Sequence, residues 1–511
     1  MKKVYASLMA LMLTIAATAQ TLNIQTGSVI YQFPAAQTGD MSYSNGTTLT
    51  VMEKTFTLSD VSKMTVDNSE VSDNTVSVVY DGTSATVLVA GNIAQYVTPT
   101  VNGAHVSIVQ SDDVAEEITY TLSGSSTDGE FYMSGSYKAT VEFNGLTLTN
   151  VTPVFSGAAV HIQNGKRIKV KVCTDTTNTL KDAASGSQKG CLYIKGHAEF
   201  AQKGTLNIVG NVKHGIKAGE YITLKNATIN VTKAVGDGIS CNEYFLMESG
   251  TVSISGVGDE GIQCELDGTT STGETADHEG EDSGNIYLEG GTLSVTNTNG
   301  EGIESKGALT ITGGHITVNA KDDAINAAEN LTINGGYVFA RSTGNDGIDA
   351  NGNCYIKGGL VYAIGTTAPE KSIDANTEEG KKLYITGGTI IAVGDLENGA
   401  SISGGTCKYT SSWTASSWYA LYNGGTLVAA FKTPTKSSGG GGPGGGGPGG
   451  GGPGGGSQKL IVYTSSTPTL QSGIALSGGT KYFGGMANID GTVTGGTNVS
   501  LSNYSTGGGW W

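Results

Sequence analysis

Leu331-Thr-Ile-Asn-Gly-Gly-Tyr-Val-Phe-Ala340 reads as two short strands around a Gly-Gly turn, with Leu331, Ile333, Val338 and Ala340 facing one way. Apolar residues at every second position carry the period of a strand, not of a helix. The unit before repeats the pattern with Leu309, Ile311, Ile316 and Val318, and the unit after with Cys354, Ile356, Val361 and Ala363. A short acidic turn ending near an isoleucine closes each unit, and that isoleucine recurs at Ile216, Ile239, Ile262, Ile303, Ile325, Ile348 and Ile373. The spacings are 23, 23, 41, 22, 23 and 25 residues. The long one contains an insertion, Glu265 to Ser283. Turn glycines run in step at Gly204, Gly250, Gly291, Gly314, Gly336, Gly359 and Gly388, with Ala227 in the missing place. Period two inside a period of about 23 fits one coil of a parallel β-helix, in which a coil buries its inward residues by stacking on its neighbours. The chain is therefore expected to be all-β.

Composition agrees. Of 511 residues 79 are Gly, and only 14% are charged, which excludes a coiled coil or a charged helical bundle. The repeat is legible from about residue 116 to 435, and this span is taken as the β-helix. Residues 20–115 lack it; Thr75–Tyr80, Ala85–Val89 and His105–Val109 alternate as antiparallel strands of a small N-terminal β module or cap. Residues 436–457, nearly all Gly and Pro, read as a linker or loop, and 458–511 as a β segment closing the C-terminal end. Residues 1–19 have the form of a signal peptide: Lys2 and Lys3, an apolar run from Leu8 to Ile15, then Ala17-Thr-Ala19. That run is too short to span a bilayer, so the expectation is a secreted or cell-surface protein, with the periplasm also open. Six cysteines are too few for a disulfide scaffold; Cys241 and Cys264, 23 residues apart, are either a disulfide or two small buried side chains.

The net charge of −16 argues against a nucleic-acid partner. Between Lys233 and Lys306 stand 15 Asp or Glu and no Lys or Arg. Aligned on the recurrent isoleucine, the residues two before it are His214, Asp237, Glu260, Glu301, Asp323, Asp346 and Lys371. One after it stand Lys217, Ser240, Gln263, Glu304, Asn326, Asp349 and Asp374, and three before it Asp259, Asp322 and Asn345 add oxygens. In a parallel stack like positions lie about 4.8 Å apart. Adjacent carboxylates at that spacing repel by roughly 3 kcal/mol at an effective dielectric near 20. Raised pKa values, a solvated acidic edge or a bound cation would each relieve the column. Ca²⁺, which takes six to eight oxygens, suits three registers of oxygen ligands converging on one turn. The candidate metal ligands are Asp237, Asp259, Glu260, Glu301, Glu304, Asp322, Asp323, Asn345, Asp346, Asp349 and Asp374.

The third residue after each Gly-Gly turn is expected to point outward, which places Phe339 and Tyr362 on adjoining coils, with Tyr337 and Tyr355 on the same two. Exposed aromatics of this kind are candidate platforms for sugar rings, unless a loop or the C-terminal segment covers them. Trp413, Trp418, Trp510 and Trp511 are further aromatics with no repeat to place them.

The units Gly236-Asp-Gly-Ile, Asp259-Glu-Gly-Ile and Asn345-Asp-Gly-Ile-Asp-Ala, interleaved with Gly-Gly-x-Val/Ile, resemble the bacterial secreted carbohydrate-binding β-helix family over about 140–435. Residues 1–115 resemble the N-terminal segments of secreted Bacteroidetes proteins, in the leader and in Phe56-Thr-Leu-Ser-Asp-Val. The resemblance implies a right-handed, polysaccharide-lyase-like β-helix with bound calcium, binding cellulose-like or acidic pectin-like polysaccharide without established lyase activity. It implies calcium ligation by Asp237, Asp259, Asp323, Asp346 and Asp349. Two other functions fit the same pattern. A calcium-dependent lyase on uronate polymers would need a Lys or Arg base, for which Arg341 and Lys321 are the candidates. An adhesin-like stalk would need only the stack. The sequence thus points to a secreted, non-catalytic polysaccharide binder.

Overall fold

Strands of successive repeat units pair in parallel in three columns. The computed structural model describes residues 20–39, 41–266, 282–296, 298–435 and 458–505. The leader at 1–19, most of the acidic insertion, the Gly/Pro tract and Trp510-Trp511 lie outside the described residues. The chain divides into two compact units, 1–212 and 213–511.

In residues 213–511 the first column holds His214–Ala218, Ile239–Asn242, Ile262–Glu265, Ile303–Ser305, Ile325–Ala327 and Ile348–Ala350. Its register pairs each recurrent isoleucine with the next, from Ile216 to Ile348, and single bridges extend it through Ile373 to Leu396. All seven isoleucines are buried. The second column runs through Tyr244–Met247, Asn285–Leu288, Leu309–Ile311, Leu331–Ile333, Cys354–Ile356 and Leu383–Ile385. The third runs through Thr251–Ser255, Thr292–Thr296, His315–Ala320, Tyr337–Ser342, Leu360–Ile364 and Thr389–Gly394. Asn285–Leu288 pairs directly with Tyr244–Met247, so the insertion leaves the register intact. Leu331, Ile333, Val338 and Ala340 are all fully buried. Each large aliphatic in such a stack contributes about 1.5–3 kcal/mol by leaving water.

Gly336 shows why the turn needs glycine: its φ is 82°, and a Cβ there would stand 2.9 Å from the Gly313 carbonyl of the coil below. In the one unit with Ala227 at this place, the left-handed residue is Asn226, with φ 67°. Asn tolerates that conformation where Ala does not. Cys241 and Cys264 pair in register, and both are buried free thiols.

The C-terminal segment does more than close an end. Lys459–Thr464 runs antiparallel between Thr389–Gly394 and Thr406–Thr410. A second antiparallel sheet contains Trp418–Asn423, Thr426–Lys432, Pro468–Ser477 and Thr492–Asn498. Its Tyr419 and Phe431, with Phe483, pack in one cluster with Phe339, Tyr362 and Ile391.

In residues 20–212 the three expected strands are present, Thr75–Asp81 in a hairpin with Ser84–Ala90, and His105–Gln110 in a second hairpin with Val97–Asn102, which the sequence did not suggest. Each hairpin also offers a parallel edge to the strands that follow. Thr75–Asp81 pairs in parallel with Ile118–Ser126, and His105–Gln110 with Glu130–Ser134. From the latter edge one column continues through Val160–Gln163 to Gly190–Ile194. A hairpin strand has two hydrogen-bonding edges, so the same strand ends a hairpin and starts a stack.

Candidate functional site

The acidic turns lie in residues 213–511 as the alignment requires: the amide after each column residue donates to the carbonyl of the next, Gly238 to Glu260, Gly261 to Glu301, Gly302 to Asp323 and Ala324 to Asp346. Asp237, Glu260, Asp323 and Asp346 are buried; Glu301 is half-buried. The column is not uniform, however. At its start His214 Nδ1 stands 3.0 Å from Asp237 Oδ2. Burial raises the Asp237 carboxyl, but hydrogen bonding and the charge of His214 outweigh it, and the group sits below the ordinary range.

Two carboxylate groups gather their oxygens within 4.8 Å: Asp237, Asp259 and Glu260, and Asp346, Asp349 and Asp374. Burial, then the hydrogen bond with Asp237 and its charge, push Glu260 up to about 10. Burial is also the leading cause at Asp346, pushed up to about 7, and at Asp349, pushed up to about 6. Asp374 is pushed up to about 9 by burial and by its hydrogen bond with Glu397 and that group's charge. Glu260 Oε2 and Asp374 Oδ1 are buried with no hydrogen-bond partner among the described residues.

The remaining candidates have protein partners. Glu304 accepts from Gln263 Nε2 at 2.8 Å and pairs with Lys306 Nζ. Asp322 accepts from Asn345 Nδ2 at 2.8 Å, so Asn345 turns its amide, not its oxygen, toward the acid. Asp323, pushed up to about 8 chiefly by burial, accepts from the Asp346 amide at 2.8 Å and from Asn326 Nδ2 at 3.2 Å. Asn326 also donates to Asp349 at 3.1 Å, which bridges two carboxyls that would otherwise repel. Burial raises Glu301 as well, and Glu304 adds to the shift. Glu397, absent from the sequence reading, is buried and accepts from Thr377 Oγ1 at 2.9 Å. Its signal was present: Leu396-Glu397 continues the register 23 residues after Ile373-Asp374 with Leu in place of Ile.

The expected aromatic face needs correction. Phe339 and Tyr362 occupy adjacent register positions, but they are 1% and 0% exposed because the C-terminal sheet lies over them. The Tyr362 hydroxyl donates to the Lys432 carbonyl at 2.8 Å. Neither ring can meet a sugar. Trp413 joins the same buried cluster. Tyr337 is half-buried, stacked on His315 at 4.9 Å and on Tyr482 at 5.2 Å. Tyr355 fits the expectation better. It stacks on Tyr384 of the next coil at 5.1 Å and 11°, both rings half-exposed, with Lys357 Nζ 5.1 Å from the Tyr355 ring.

With this geometry, two segments of the chain, 102–290 and 282–428, match the family described as carbohydrate-binding domain-containing protein. The chain belongs to that family. No curated protein matches it. Among solved structures it is similar to a polysaccharide lyase-like protein from C. thermocellum, determined as a gadolinium derivative. The two share 20% identity over 55% of this chain and 96% of that one, with a TM-score of 0.40. Among the described residues of this carbohydrate-binding chain, no helix is long and apolar enough to cross a membrane.

Proposed function

We propose that the protein is an exported, non-catalytic polysaccharide binder whose repeat winds as a right-handed parallel β-helix and whose acidic turns are tied by calcium. Membership of the carbohydrate-binding family across 102–428 is the observation that carries binding. Tyr355 and Tyr384 are partly exposed but stacked on one another, with Lys357 over the Tyr355 ring, so only their outer edges are left for a sugar. For the metal, the support is two groups of three carboxylates, each with a buried oxygen that has no hydrogen-bond partner among the described residues. Oxygen-only ligands suit a hard cation. Asp237, Asp259 and Glu260 would hold one ion, and Asp346, Asp349 and Asp374 another. When bound, calcium supplies the positive charge that like-charged turns lack and a coordination position for the carboxylates of an acidic polymer. The protein's own part is positioning: buried carboxyls fixed at coil spacing, with Asn326 and Lys306 quieting the members between.

Calorimetry of the mature protein with polygalacturonate, in calcium and in chelator, tests the reading. Saturating heat in calcium that weakens in chelator is expected. Heat that continues after each injection would mean turnover, and a lyase would replace the binder. No heat with polygalacturonate or with soluble cellulose fragments in either buffer would leave a stalk.

A further inference from the structure

Residues 161–203 reverse the charge of the rest of the chain, with eight Lys or Arg and three Asp or Glu against a total of −16. The fold places part of this excess beside an aromatic column in residues 1–212. Glu130–Ser134, Val160–Gln163 and Gly190–Ile194 pair in parallel, and the register sets Tyr132, His161 and Tyr193 side by side. The ring centroids are 4.9 and 4.7 Å apart, and the planes are tilted by 76° and 54°. The rings are therefore not closed on one another by parallel stacking, unlike Tyr355 and Tyr384.

These rings line an open trough of about 570 Å³ whose wall carries Lys189 and Lys195, both exposed, and Gln163. Lys189 Nζ stands 5.6 Å from the centre of the Tyr193 ring. Among the described residues that line the trough there are two lysines and no carboxylate. His161 Nε2 is 3.0 Å from Gln163 Oε1. Burial lowers the His161 pKa, so its ring is neutral and aromatic at pH 7. Rings at coil spacing, flanked by two exposed ammonium groups and with Glu130 buried behind the turn instead of lining the trough, are complementary to a chain of sugars bearing carboxylates.

We propose that this trough is a second glycan site, separate from the acidic turns, which binds an anionic sugar chain without a metal ion. Sugar faces lie on the half-buried Tyr132 and His161, which Tyr193, only 9% exposed, backs from the next strand, and sugar carboxylates meet Lys189 and Lys195. The ligand class rests on the polysaccharide-binding reading; the site and its independence of metal do not. An acidic protein can thus hold an acidic polymer in two ways, through a cation at the turns and directly at the trough.

The test is calorimetry of the mature protein with polygalacturonate oligosaccharides in chelator, against neutral cello-oligosaccharides as control. A chelator-resistant component is expected, weakening with added salt and falling about tenfold in Lys189→Gln/Lys195→Gln. Tyr193→Ala should weaken the same component, and circular dichroism of each variant checks that it is folded. Binding that vanishes completely in chelator overturns the trough while leaving calcium-dependent binding in place. A resistant component unmoved by the lysine pair, or matched by the neutral oligosaccharide, overturns it too. No binding with calcium present overturns the underlying function instead.

Discussion

Glu130 and Glu260 are both buried carboxyls in parallel stacks, 0% and 7% exposed, yet their environments push them in opposite directions. Glu130 is met by donors. The amides of Val154, Phe155, Ser156 and Gly157 reach it at 2.6 to 3.2 Å, Asn150 Nδ2 donates at 3.1 Å, and His105 Nδ1 stands at 3.1 Å. Burial raises its pKa, but those donors win and hold it below the ordinary range. Glu260 is met by Asp237 and Asp259, and burial and those two acids outweigh one backbone hydrogen bond and favour the proton. Burial alone therefore does not decide whether an acid in a coil stack is structural. The sign of what faces it does.

Replacing Glu130 sharpens the contrast most. Glu130→Ala strands four amides in the turn 151–157 and removes an acceptor of Asn150, and should cost more than about 3 kcal/mol, in calcium and in chelator alike. Urea unfolding reads this directly. A cost under about 1 kcal/mol would mean the turn is held by something else. Glu260→Gln should behave differently. In chelator at pH 7 the glutamine resembles the protonated acid already present, so the midpoint should barely move. In calcium each occupied site should add about 2.7 kcal/mol at a hundredfold excess over Kd, and the variant should lose most of the share of its own site. Equal losses in both buffers would place Glu260 with Glu130.

The pH profile separates the classes a second time. A raised carboxyl stabilises the fold below its unfolded pKa, and that contribution is lost as pH rises through its folded value. Asp349, Asp346, Asp323, Asp374 and Glu260 reach about 6, 7, 8, 9 and 10 in turn. Chelated protein should therefore weaken steadily from pH 5 to 10. Glu117 and Glu130 are lowered, so their contribution is present above the ordinary carboxylate pKa and is lost as pH falls. Calcium should flatten the alkaline slope and leave the acid limb alone. Chelated protein as stable at pH 9 as at pH 6 would remove the basis for treating the turns as a charge problem.

The columns were legible in the sequence because the physics that forms them is local and repetitive. Alternation fixed Leu331, Ile333, Val338 and Ala340 as inward, and the isoleucine spacing set the register down to the continuity across the insertion. The outward face was harder to read. Ser253, Ser294, Thr317, Phe339 and Tyr362 share one register, and only the last two are covered, by strands about a hundred residues later in the chain. Nothing in the repeat encodes that cover, although two large apolar side chains following Ser and Thr in one column were a hint. The acidic column was legible as a set of positions but not as partners. Lys306 beside Glu304 is two residues away and could be read; the donors around Glu130 come from a loop with no repeat.

The finest prediction moves one residue from the first class into the second. Asp237 belongs to the acidic column by register and to the Glu130 class by its pKa, and His214 is the difference. His214→Gln keeps a polar side chain of similar reach and removes the ring nitrogen that stands 3.0 Å from Asp237 Oδ2. Asp237 should then join its neighbours above the ordinary range, adding one more group to the alkaline weakening of the chelated protein. The loss near pH 7 should be about 1 kcal/mol, that of one buried hydrogen bond. In calcium the sign should turn, because the carboxylate group of Asp237, Asp259 and Glu260 loses a ring that competes for the Asp237 oxygen and should bind the ion more tightly. Calcium titrations of the two proteins at pH 7 read that difference. A variant that binds calcium more weakly would mean that His214 organises the turn instead of competing for its charge.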